Sequence, residues 1–174
     1  VKRINFSRKE CMAVRNPHQL TDSVKLLQKV VIVHKGKVLL LQRDSNSATR
    51  PEKWDLPGGN SEWPSEEKLG SRGLHQEDVA REIMEETGIT VVPGHFALDK
   101  LVYFDTTFFN DVFTVLSGWM VELPHDFEID SVELSHEHTA YEWVSFDEAR
   151  EYDFGFAKEF IVPMIRTTQD TFSA

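Results

Sequence analysis

Three glutamates, Glu82, Glu85 and Glu86, stand at i, i+3 and i+4 within the run Arg81-Glu82-Ile83-Met84-Glu85-Glu86-Thr87-Gly88-Ile89. On an α-helix this spacing puts three carboxylates on one face. Such crowding costs a helix about a few tenths of a kcal/mol per pair, and a divalent cation offsets it. Hard cations such as Mg2+ are held by a few carboxylate oxygens together with substrate phosphates. The plainer alternative is a solvated helix surface on which Arg81 pairs with Glu85 one turn away. The upstream context favours a site. Trp54-Asp55-Leu56-Pro57-Gly58-Gly59 is a short apolar segment broken by a Pro-Gly-Gly turn, and paired glycines let a backbone approach a ligand closely.

Together these residues resemble the Nudix box, the signature of the Nudix hydrolases, written G-x5-E-x7-R-E-U-x-E-E-x-G-U with U aliphatic. Gly59 matches the first glycine, Arg81 and Glu82 the R-E, Ile83 the U, Glu85 and Glu86 the E-E, and Gly88-Ile89 the end. The stretch from Gly59 to Arg81 is eight residues longer than the pattern, which places an insertion within Glu62 to Gln76. The upstream box glutamate therefore has several candidates, Glu66 or Glu67 before the insertion and Glu77 if the helix starts late, while Glu62 fits the acidic residue often found three positions after the second glycine. The insertion, with one Pro, two Gly and mixed charge, reads as a surface loop. It is either a lid facing the substrate or a tolerated extension.

Downstream, Leu134-Ser135-His136-Glu137-His138-Thr139-Ala140-Tyr141-Glu142-Trp143 is similar to a segment of the asymmetric diadenosine tetraphosphate hydrolases and the bacterial dihydroneopterin triphosphate pyrophosphatases. In those families the glutamate before the histidine reaches the metal from outside the box, and Glu137 matches it. His136 and His138 are read as phosphate-facing donors or as surface residues. A closed zinc site is disfavoured, since it needs four N/S ligands and the one cysteine is the distant Cys11.

The resemblance implies an α/β fold, the Nudix-type α/β/α sandwich with a mixed β-sheet, and Mg2+ or Mn2+ as cofactor. It also implies hydrolysis of a diphosphate linkage, in a nucleoside diphosphate joined to a moiety X, by metal-activated water. The implied metal ligands are Gly58 through its carbonyl, Glu82, Glu85, Glu86 and Glu137. The implied catalytic residues are Arg81, Glu82, Glu85, Glu86 and Glu137, with Arg81 orienting a neighbouring carboxylate. Glu137 or a box glutamate takes the proton, and coupled carboxylates leave that choice open. A nucleotide-binding or regulatory module with weak catalysis is the alternative, motivated by the displaced upstream glutamate. An isomerase-like member ranks last because such chemistry needs further cysteine. Phe104 stands where an ADP-ribose marker proline would be, and Tyr103, Phe104, Phe108, Phe109 and Trp119 are aromatic candidates for base stacking or for core.

Positioning these groups requires a sheet and a helix. Lys29 to Val33 and Lys37 to Gln42 flank the turn His34-Lys35-Gly36 and read as a β-hairpin. Glu77 to Thr87 carries the apolar track Val79, Ile83 and Met84 beside the acidic face, with Gly88 as its C-terminal cap. Ile89 to Val92, Ala97 to Asp105, Asp111 to Val121 and Trp143 to Ser145 are predicted strands. Ser145 or Asp147 caps a following helix, and Phe156 to Arg166 has the spacing of a closing amphipathic helix. Residues 1–27 read as an N-terminal extension, 28–166 as the catalytic domain and 167–174 as a fraying tail.

The 174 residues carry a formal net charge of −10. That charge repels nucleic acid and polyphosphate at long range, so broad nucleic-acid binding is not expected. A small phosphorylated substrate would rely on metal bridging and on local basic residues such as Lys35, Lys37, Arg43, Arg50, Lys53 and Arg72. One cysteine provides no internal disulfide framework. No run of about 18 apolar residues marks a membrane span, and cytoplasmic location is the default. A homodimer is left open.

Overall fold

A computed structural model describes residues 23–62, 65–109 and 111–173. Cys11, Trp63, Pro64, Ala174 and most of the expected N-terminal extension lie outside the described residues. Six strands form one mixed sheet: β1 (Val24–His34), β2 (Lys37–Arg43), β3 (Trp54–Asp55), β4 (Leu101–Phe109), β5 (Val112–Glu122) and β6 (His138–Ser145). Their path is β3-β2-β1-β5-β4, with β6 on β2, and only β1 with β5 is parallel. Among the described residues three helices flank the sheet: α1 (Leu74–Thr87), α2 (Phe146–Ala149) and α3 (Lys158–Ser173).

The runs Val30-Val31-Ile32-Val33 and Val38-Leu39-Leu40-Leu41 are unbroken because both sheet faces are covered. Strand alternation then divides them. Val30, Ile32, Leu39 and Leu41 pack with Val79 and Ile83 of α1, whereas Val31, Val33, Val38 and Leu40 pack with Ile161 and Met164 of α3. The sandwich therefore follows from two period-2 patterns out of phase with each other.

At the His34-Lys35-Gly36-Lys37 turn the register pairs Val33 with Val38 and His34 with Lys37. Away from it the two strands part, and residues 54–61 fill the fork. Trp54 and Asp55 pair with Gln42 and Leu41 of β2. On the other side the Pro57 and Gly59 carbonyls accept from the Val30 and Gln28 N–H groups, each at 2.9 Å. The Pro-Gly-Gly turn is thereby fixed to β1 by main-chain bonds.

Several elements depart from the sequence reading. Residues 89–92 are not a strand. Between the left-handed Gly88 and the turn at Pro93–His95 they run irregularly, with Ile89 and Val91 buried against α1's core. The strand expected at 97–105 is displaced to Leu101–Phe109 by a short 3-10 turn, Leu98–Lys100. Helix α1 begins at Leu74 rather than Glu77, and β1 begins at Val24, inside the expected extension. The tail expected to fray from 167 continues α3 to Ser173. Thr168 is fully buried and donates to the Met164 carbonyl at 2.8 Å, and Phe172 meets Phe146. Nothing at 167–173 stops a helix, since Gly and Pro are absent there. Ser145 does cap α2, in a reciprocal box with Glu148. Among the described residues no helix is long and apolar enough to cross a membrane.

Candidate active site

The glycine turn leaves no room for side chains. A Cβ on Gly58, whose φ is +112°, would lie 2.4 Å from the Gln28 carbonyl oxygen, a conformation and an approach that only glycine accepts. A Cβ on Gly59 would lie 2.3 Å from Oε2 of Glu82. The missing methyl at Gly59 is thus the space into which α1 projects a carboxylate.

Helix α1 is aimed at the turn from both ends. At its start the Gln28 side chain donates to the His75 carbonyl (3.1 Å) and to Ser61 Oγ (2.9 Å), and accepts from the Trp119 indole N–H (3.2 Å). At its end the Gly88 N–H bonds the Met84 carbonyl (2.9 Å), a left-handed cap of the expected kind. The Ser135 N–H bonds the Glu86 carbonyl at 3.2 Å, tying the downstream segment to the same turn.

The three box glutamates occupy different surroundings. Glu86 is buried, 7% exposed, and its Oε2 accepts from the Gly58 N–H at 2.6 Å. Burial pushes its carboxyl up from 4.5 to about 7, against the opposing pull of the Lys29 charge and the Gly58 hydrogen bond. Glu82 is partly buried and is also raised by burial, opposed by Arg81. Glu85 is exposed. Arg81 donates to Glu82 (2.8 Å) and to Glu85 (2.7 Å) and so ties the two carboxylates together. With those two carboxylates on Arg81 and Glu86 turned inward, no three acidic, His or Cys side chains converge on one point among the described residues.

Glu137 lies on the rim. Its carboxylate is exposed, its N–H donates to Ser135 Oγ, and its carbonyl accepts from the Asp44 N–H at 2.8 Å. The neighbouring His138 departs from one of the two readings the sequence offered, since it is not on the surface. It is 6% exposed, with Nε2 4.0 Å from Glu86 Oε1. Burial, with the Lys29 charge, lowers its pKa from 6.5 to about 4, so the imidazole is neutral near pH 7 and the contact is not an ion pair.

Beneath the turn lies a cluster that the motif did not reveal. Asp55, fully buried, meets Lys29 (3.1 Å), Arg50 (2.5 Å) and Arg43 (3.5 Å), and accepts from the Leu56 N–H (2.9 Å). Burial alone would raise its carboxyl, but the Lys29 and Arg50 charges and hydrogen bonds outweigh that and hold it below 3.8. Arg43 and Arg50, anticipated as phosphate contacts, are thus spent on Asp55, and Lys53 is paired with Asp153 at 2.5 Å. Lys35 and Lys37 sit at the far end of β1 and β2 from the glycine turn. Of the aromatic candidates, Trp119 is core, stacked on His75, whereas Phe104 and Phe108 are exposed on edge strand β4.

The insertion folds onto the front of α1. A 3-10 turn at Glu66–Lys68 brings Lys68 to Glu77. A cleft of about 360 Å³ is lined by Glu62, Ser65, Lys68, Leu74, Glu77, Asp78 and Arg81. Glu62, the acidic residue after the second glycine, lies 3.9 Å from Arg81.

A glycine turn clasping a helix that carries R-E-x2-E-E matches a known family model, the NUDIX domain, over residues 29–163. The chain belongs to the Nudix hydrolase family. Its fold resembles that of a MutT protein from Methanosarcina mazei Go1 at 28% identity and TM-score 0.63, covering 86% of this chain and 96% of that one. It also resembles the E. coli ORF135 protein (22%, TM-score 0.61, 87% and 92%). A third similar structure is the E. coli dihydroneopterin triphosphate pyrophosphohydrolase (19%, TM-score 0.57, 88% and 98%). No curated protein sequence matches the chain. As a Nudix hydrolase the protein is a pyrophosphohydrolase.

Proposed function

We propose that this Nudix hydrolase cleaves a diphosphate linkage in a nucleoside diphosphate joined to a moiety X, with Mg2+ or Mn2+ as cofactor. The observation that carries the reading is the Gly59 cradle, which the Glu82 carboxylate fills beside a buried Glu86. Oxygen donors of this kind suit a hard divalent cation. Glu82, Glu85 and Glu86 would hold it, with the Gly58 carbonyl and Glu137 as the further oxygens. The cation, when bound, neutralises phosphoryl oxygens and activates water.

The chain's own groups then divide the remaining work. Arg81 keeps the Glu82 and Glu85 carboxylates in register with each other. The Gly58 N–H holds Glu86 against the turn. Glu137 or a box glutamate accepts the proton from the attacking water, and exposure leaves Glu137 free to swing toward substrate. The insertion-lined cleft beside Arg81 is open to the distal part of the substrate. With an overall charge of −10 the approach of a polyphosphate depends on that local chemistry.

The decisive measurement is a panel of nucleoside triphosphates, nucleotide sugars and dinucleoside polyphosphates, with product identification, run with Mg2+, with Mn2+ and with chelator. Turnover of at least one substrate only with metal, reduced about 100-fold or more in Glu86→Gln, is expected. Tight nucleotide binding without turnover across the panel would instead make the protein a binding module.

A further inference from the structure

Among the described residues, Lys29 is the one positive side chain that reaches the glycine turn. It is 4% exposed on β1, and its ammonium donates to Asp55 Oδ2 (3.1 Å), the Leu56 carbonyl (3.0 Å) and the Gly58 carbonyl. An ammonium has three N–H groups, so its donors are fully used and two of them are spent on the backbone of the turn. Gly58 is therefore gripped twice, by Glu86 at its N–H and by Lys29 at its carbonyl. A buried lysine is costly unless paired. A pairing with Asp55 alone would leave two donors unmatched, and the turn carbonyls supply the rest.

This arrangement has a consequence for the metal. The Gly58 carbonyl is the one backbone oxygen that the family resemblance offers as a ligand, and here a fixed positive charge already sits on it. We propose that Lys29 is a resident cation of the active site, a positioning residue that holds the Gly58 carbonyl and competes with a divalent metal for that oxygen and for the charge of Glu86. The inference rests on the metal reading above and goes beyond it. With the ammonium in place the free protein binds metal weakly, and the negative charge of an arriving polyphosphate brings the cation in with the substrate. Metal and nucleotide then bind with positive coupling in both directions.

Direct Mn2+ titration of the full chain, following free Mn2+ by electron paramagnetic resonance with and without a non-hydrolysable nucleotide, tests this. After the Mn2+ chelated by nucleotide alone is subtracted, wild type should bind Mn2+ at least tenfold more tightly with nucleotide than without. Lys29→Met should bind Mn2+ alone at least tenfold more tightly than wild type, and Lys29→Arg should stay close to wild type. A residue that merely supported the turn would weaken metal binding when removed, so the direction of change separates the two roles. Should Lys29→Met not fold, Lys29→Gln removes the charge but keeps an amide donor for the turn, Asp55 retains Arg43 and Arg50, and the same tightening is expected. A folded charge-removing variant, Lys29→Met or Lys29→Gln, with wild-type or weaker Mn2+ affinity overturns the role of Lys29. Absence of Mn2+ binding in wild type with and without nucleotide overturns the metal reading itself, and this inference with it.

Discussion

Oε2 of Glu86 accepts a 2.6 Å hydrogen bond from the backbone N–H of Gly58, joining the last turn of α1 to the Pro-Gly-Gly segment 28 residues earlier. That bond buries a carboxyl beside a turn whose geometry depends on two glycines, and the two glycines should fail in different ways when substituted.

Gly59→Ala puts a methyl where the Glu82 carboxylate lies, 2.3 Å from Oε2. The obstructing atom is the end of a flexible side chain, so the fold accommodates it and stability changes by less than about 1 kcal/mol. The displaced carboxylate should lower kcat by about 100-fold. Gly58→Ala meets the Gln28 carbonyl of β1 at 2.4 Å with φ at +112°, and should cost about 2 to 4 kcal/mol in urea unfolding. Equal stability losses in the two variants would contradict this assignment of space.

Asp55 is the counter-ion of three buried or half-buried cations, Lys29, Arg43 and Arg50. Asp55→Asn should destabilise the protein by about 3 to 5 kcal/mol, because the remaining charges stay buried without a partner. Glu85→Gln, at an exposed position, should change stability by less than about 0.5 kcal/mol while lowering activity. A urea series on both variants makes the comparison.

Glu86 and His138 should give opposite pH dependences in metal-free protein. The folded state holds the Glu86 proton up to about pH 7, whereas the unfolded chain releases it near 4.5. Stability from this group is full below 4.5 and is lost as pH rises to 7. The folded state keeps His138 neutral down to about pH 4, whereas the unfolded chain binds a proton near 6.5. Stability from this group is full above 6.5 and is lost as pH falls toward 4. In wild type with chelator these two dependences, each worth roughly 3 kcal/mol, should largely offset one another between pH 4.5 and 6.5. Glu86→Gln should leave a Tm that rises with pH, and His138→Gln one that falls. Parallel profiles for the two variants would refute the pair of shifts.

What was legible in the chain was whatever lies in local pattern. The spacing of Glu82, Glu85 and Glu86 with Gly88, the alternation within the Val-Ile and Val-Leu runs, and Ser145 with Glu148 each specify their geometry within a few residues. Lys29 was hidden because a lysine at the start of an apolar run reads as a strand boundary. Its burial depends on Asp55, Leu56 and Gly58, which arrive only when residues 54–61 enter the fork. His138 was hidden for the same reason. Its neighbour Glu137 is exposed, and only the pairing of β6 with β2 turns the histidine toward Glu86. The strand read at 89–92 failed because apolar residues that cap a core need no partner strand.

Glu137 has an exposed carboxylate beside a segment whose backbone is fixed by Asp44 and by the tie from Ser135 to Glu86, so its reach toward substrate is set by a short, anchored stretch. If it takes the proton from water, Glu137→Gln should lower kcat by about 100-fold or more and abolish the acid limb of the kcat profile. Mn2+ affinity should fall as well, by about tenfold or less, the loss of one exposed carboxylate among several oxygen ligands. If a box glutamate takes the proton, Glu137→Gln should keep that limb and lower kcat by less than about tenfold, while Glu86→Gln removes the limb. Rate profiles of both variants from pH 5 to 9 at saturating metal distinguish the two. A wild-type kcat and an unchanged acid limb in Glu137→Gln would remove this residue from the chemistry and leave the proton with the glutamates that α1 holds against the glycine turn.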